Sequence, residues 1–84
     1  MSKIQKLLAK VLGGRSDANL AFEDLRTLLL HLGFQERTRG SHHVFVKEGV
    51  EALVNLQREG HLAKPYQVRQ VRGVLAKHGL GVEE

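Results

Sequence analysis

The apolar positions of this chain fall into two periods. Ile4, Leu7, Leu8 and Val11 recur at i, i+3, i+4 and i+7, which puts them on one helical face and leaves Lys3, Lys6 and Lys10 on the other. Gly13-Gly14 stops this helix, and residues 15–19 read as a connecting loop. A second helix runs from about Phe22 to Leu32 on the spacing of Leu25, Leu28, Leu29 and Leu32. Glu23 and Asp24 suit the positive end of its dipole, and Gly33 fits the left-handed residue that commonly ends a helix.

From Phe34 onward the period changes to two. Three extended segments are expected at 34–39, 42–47 and 51–57, separated by turns at Gly40-Ser41 and Glu48-Gly49. Successive strand side chains point to opposite faces, so His42 shares a face with Val44 and Val46, whereas His43 shares one with Phe45. In the third segment Asn55 and Gln57 lie opposite Val54 and Leu56, which predicts one polar, wet side.

Pro65 suits the first position of a last helix, whose apolar stripe is Val68, Val71, Val74 and Leu75. Gly73 within that helix costs about 1 kcal/mol relative to alanine, a cost that close packing would explain. Gly79 closes it, and residues 80–84 are expected to form a flexible tail. The order is helix, helix, three antiparallel strands, helix. Its physical solution is a single α+β domain over 1–84, a two-layer sandwich with the helices on one face of the sheet and residues 1–14 as an additional N-terminal helix.

Eighty-four residues make one modest core, and the absence of cysteine excludes a disulfide framework and a thiolate zinc site. A formal net charge of +4 favours an anionic partner, nucleic acid first. No stretch has the make-up of a signal peptide or the length of a membrane span, so a cytoplasmic protein with no membrane partner is expected. The five histidines show no metal-ligand spacing on one element, and neither a metal nor a small-molecule cofactor is expected.

The chemistry concentrates in Arg39-Gly40-Ser41-His42-His43-Val44-Phe45. A histidine on a strand end, beside a flexible turn and flanked by Arg37 and Arg39, is placed for proton transfer to or from a phosphodiester. The bland alternative is a solvent-facing strand histidine without a task. Gly40 allows close approach of a substrate to the backbone, and Ser41 offers a hydroxyl or an amide donor. His61, in the loop before the last helix, is a candidate second proton-transfer group. Lys64, Arg69 and Arg72 are candidates for holding RNA backbone, and Gln57, Tyr66 and Gln67 for contacting RNA. A solvated helix face is the alternative for the cations, and a place in the core for Tyr66.

These residues resemble the HicA toxins of bacterial toxin–antitoxin systems, small domains related in fold to double-stranded-RNA-binding domains. The resemblance rests on Phe22-Glu23-Asp24-Leu25, Leu28-Leu29, Leu32-Gly33-Phe34 and the Gly40-Ser41-His42 strand start. It extends to the stretch from Gly60 to Arg72 and to the Ser16-Asp17-Ala18-Asn19 loop. It implies a metal-independent endoribonuclease that cleaves messenger RNA, with His42 as the functional histidine, and a HicB-type antitoxin protein as partner. Many members carry Pro-x-His at the end of the third strand, where this chain reads Asn55-Leu56-Gln57. Gln57 can hydrogen-bond to RNA but cannot relay a proton at neutral pH. Two rival readings remain: a non-catalytic binder of structured RNA on the same fold, and a protein-binding module using the exposed sheet face.

Overall fold

The computed structural model describes residues 3–80. Helix α1 spans Lys3–Gly13, α2 spans Phe22–His31 and α3 spans Pro65–Lys77. Between α2 and α3 lie the strands β1 (Gln35–Arg39), β2 (His42–Lys47) and β3 (Val50–Gln57). They pair antiparallel in the order β1-β2-β3. The chain is thus mixed α+β, with an antiparallel sheet. Two features were not anticipated. Asp17–Asn19 forms a short 3-10 turn, and Ala21 and Leu62 form an isolated antiparallel bridge outside the three strands. The N–H of Ala63 donates to the Leu20 carbonyl at 2.8 Å and that of Phe22 to His61 at 2.9 Å, tying the start of α2 to the approach of α3.

One face of the sheet carries the core. Phe45, Val54 and Leu56 are fully buried against Phe22, Leu25, Leu28, Leu29, Val68, Val71 and Leu75. Helix α1 belongs to this core, since Leu7 and Val11 are buried and Ile4, Leu8 and Leu12 pack against it. Its C-terminal end is held by Arg72, whose guanidinium donates to the Val11 carbonyl at 3.0 Å and to both Asp17 carboxylate oxygens at 3.0 Å. That paired hydrogen bond holds the Asp17 carboxyl below its ordinary range and raises the Arg72 guanidinium. Gly14, at φ +73°, lies over the same guanidinium, where a Cβ would come within 3.1 Å of Arg72 Nη1. The left-handed backbone angle favours glycine there, and a side chain would also press on the Arg72 guanidinium.

The ends of α2 and α3 close alike. Gly33 N–H donates to Leu30 O and Phe34 N–H to Leu29 O, and Gly79 and Leu80 repeat this on Ala76 and Leu75. Leu80 packs on the core, so the tail expected from residue 80 does not start there, and residues 81–84 lie outside those described. Gly73 is corrected too: a Cβ at this position meets open space, and no close neighbour requires glycine. Among the described residues, no helix is long and apolar enough to cross a membrane.

The core face of the sheet also holds a polar network. His43 is 9% exposed, its ring 5.1 Å from that of Phe22. Its Nδ1 lies 2.6 Å from Glu36 Oε2, and Arg26 holds the same carboxylate at 2.8–2.9 Å. The Arg26 hydrogen bond comes first in holding the Glu36 carboxyl below its ordinary value of 4.5, with His43 contributing less against the opposing effect of burial. A depressed carboxylate contributes stability above its unfolded-state pKa and loses it as pH falls through the folded value. Glu36→Gln is therefore expected to lower stability at pH 7 by about 1–3 kcal/mol. Urea midpoints of the two proteins should converge as pH falls below 4.5, and a gap that stays constant into acid would contradict this role.

Candidate nucleic-acid interface

The opposite face of the sheet is open. Its geometry follows from the two-residue connection Gly40-Ser41 between the paired residues Arg39 and His42. Gly40 has φ +59° and Ser41 does not have a positive φ, the pattern of a type II′ hairpin turn that needs glycine first. A Cβ at Gly40 would meet nothing, so the turn alone requires glycine here. The Arg58 N–H donates to the Ser41 carbonyl at 2.8 Å, fastening the turn to the end of β3.

Register then aligns the open-face side chains in rows. Arg39, His42 and Gln57 are direct cross-strand partners, and so are Arg37, Val44 and Asn55. His42 is exposed, while its neighbour His43 is turned to the core. Lys3, Arg26, Arg58, Lys64 and Arg72 pair with carboxylates. Among the described residues Arg37 and Arg39 have no such partner, and both are exposed. The His42 end of the face thus carries uncompensated positive charge.

Helix α3 supplies the last wall. His42, Asn55, Gln57 and Tyr66 line a hollow of about 170 Å³. Tyr66 stands in the first turn of α3 and is 53% exposed, so it is not part of the core. It is placed by Gln67, which is 1% exposed. Gln67 Nε2 donates to the Gln57 carbonyl at 2.9 Å and its Oε1 accepts from the Lys64 N–H at 3.1 Å, so one amide joins the start of α3 to the end of β3. Among the described residues, no side-chain hydrogen bond holds the His42 ring or the Tyr66 hydroxyl.

The structure gathers only part of the expected set. His42, Gln57 and Tyr66 come together, with Arg37, Arg39, Gly40 and Ser41 beside them. Asn55 joins them unforeseen, although its alternation with Gln57 signalled the shared face. His61 and Lys64 line a separate open hollow with Ala18, Leu62 and Pro65, and Lys64 pairs with Glu59 at 3.1 Å. Two candidates for RNA contact are corrected. Gln67 is buried with both ends of its amide engaged, and Arg72 is committed to Asp17 and α1. Arg69 is exposed on α3 near Asp17. Among the described residues, no three His, Cys, Asp or Glu side chains converge to hold a metal ion.

Comparison with protein-family models, with curated proteins and with solved structures finds no match to this chain. The open face therefore has to be read from its own chemistry. At the His42 end it is a basic, hydrogen-bonding surface with one exposed imidazole between Arg39 and Gln57. Gln67→Ala should cost about 1–3 kcal/mol in urea unfolding, because the part-buried Gln57 carbonyl and Lys64 N–H both lose their partner. It should also loosen Tyr66 from the His42 hollow; a variant as stable as the wild type would remove Gln67 from this role.

Proposed function

We propose that this chain is a metal-independent endoribonuclease of the HicA kind that cleaves messenger RNA at the open sheet face. A HicB-type antitoxin protein would keep it in check. The observation that carries the reading is the row Arg39–His42–Gln57, in which an exposed histidine stands between an unpaired arginine and a hydrogen-bonding amide. The order of α2, three antiparallel strands and α3 agrees with the double-stranded-RNA-binding-domain-like fold that the resemblance implies.

Cleavage uses the 2′-hydroxyl of the RNA as nucleophile on the adjacent phosphate. Histidine titrates across neutral pH and serves as base or acid there. His42 is the proton-transfer group in this reading. Arg39 and Arg37 hold the phosphate and offset the charge that grows on it in the transition state. Gly40 and Ser41 form the tight turn against which the backbone lies. An antitoxin that presents acidic side chains to Arg37 and Arg39 would block the hollow and exclude RNA.

The test is cleavage of a labelled RNA in the presence of chelator, comparing wild type with His42→Ala. The wild type is expected to cut, and the variant to be slower by about 100-fold or more, the scale of a lost general acid or base. Circular dichroism should show that the variant stays folded, since His42 is exposed. Binding of RNA by both proteins with cleavage by neither would instead favour the non-catalytic binder. Equal cleavage by both would remove His42 from the chemistry.

A further inference from the structure

Cleavage of this kind moves two protons, one off the 2′-oxygen and one onto the departing 5′-oxygen. His42 accounts for one. The other histidines of the sheet and of the loop before α3, and the neighbour Gln57, do not supply the second. His43 lies on the core face of the sheet, bonded to Glu36 and tilted against the Phe22 ring. His61 lines a different hollow. Gln57, which stands beside His42, has an amide that cannot relay a proton.

Tyr66 is the one other side chain of the His42 hollow that carries an ionisable proton. It is the only tyrosine in the chain, and it is 53% exposed while Phe22, Phe34 and Phe45 are buried. The hollow is lined by His42, Asn55, Gln57 and Tyr66, each ending in a hydrogen-bonding group. At about 170 Å³ it is smaller than the roughly 300–1,000 Å³ typical of ligand pockets, a size for one polar group rather than a whole nucleotide. Such a lining suits phosphate and sugar oxygens better than the flat face of a base. Gln67 holds this wall in place through the Gln57 carbonyl.

We propose that Tyr66 is the general acid that protonates the leaving 5′-oxygen, opposite His42 as base; the proposal rests on the ribonuclease reading above. The 2′-oxygen bonds to phosphorus as its proton passes to the His42 imidazole. The bond from phosphorus to the 5′-oxygen breaks, and that oxygen takes the proton of Tyr66 Oη. The products are a 2′,3′-cyclic phosphate and a 5′-hydroxyl. The imidazolium then gives its proton to water, and the phenolate regains one from water. A phenol keeps its proton at neutral pH and yields it to a stronger base such as an alkoxide. No oxidant, reductant or co-reactant is needed.

The test compares wild type, Tyr66→Phe and His42→Ala on two substrates: an RNA oligonucleotide, and uridine 3′-(p-nitrophenyl phosphate), whose leaving group departs without a proton. Tyr66→Phe is expected to cut RNA about 100-fold more slowly and the activated ester within about threefold of wild type, as for loss of a general acid. Its Tm should be unchanged, because Tyr66 is half exposed and its hydroxyl forms no side-chain hydrogen bond among the described residues. Equal losses on both substrates, or no loss on either, would overturn the assignment of Tyr66. Provided His42→Ala is slowed as expected, those outcomes would leave the ribonuclease reading standing. A wild type that cuts neither substrate would overturn both.

Discussion

The open face depends on the alternation at His42 and His43. Two adjacent imidazoles on one strand must point to opposite sides of the sheet. Which one faces the core is decided by what waits there. Glu36 and Phe22 receive His43, and Arg26 neutralises Glu36 from α2. A slip of one residue would bring His42 into that position and turn His43 out. It would also expose Phe45 and bury Val44 and Val46 in its place. The buried Glu36 network, the Phe45 packing and the Gly40-Ser41 turn all select the same register, so the exposed histidine is held by interactions it does not itself make.

The second constraint joins the sheet to α3. A groove needs two walls, and the sheet alone offers one. The Gln67 amide closes the gap by bonding the end of β3 and the start of α3 at once. Arg72, one turn and a half further along, anchors the same helix to Asp17 and the end of α1. Polar side chains that would otherwise be read as RNA-facing thereby act as fasteners. The cations left without carboxylate partners beside His42 are Arg37 and Arg39.

Much of this was legible in the sequence. The helical repeats of Leu7 and Val11, of Leu25, Leu28 and Leu29, and of Val68, Val71 and Leu75 mark the residues that are buried. The period-two strands, the opposition of His42 to His43 and the wet side of β3 follow from alternation alone. What was not legible depends on contacts between distant segments. Periodicity carries no sign that Arg72 reaches Asp17, that Gln67 turns inward, or that Ala21 bridges Leu62. Nor could spacing place Tyr66 beside His42 and His61 away from it, because the loop before α3 decides both. Gly73 was misread for a related reason: a glycine in a helix has a cost, but only the packing around it shows whether anything requires it.

The most direct measurement is amide chemical-shift mapping of the isotopically labelled protein with a short RNA whose 2′-oxygens are methylated, so that it binds without being cut. Shifts are expected to concentrate on Arg37, Arg39, His42, Asn55, Gln57 and Tyr66, and to fade as salt is raised, as phosphate contacts require. Shifts confined to α1 and to the hollow at His61, with the His42 row unmoved, would contradict the account.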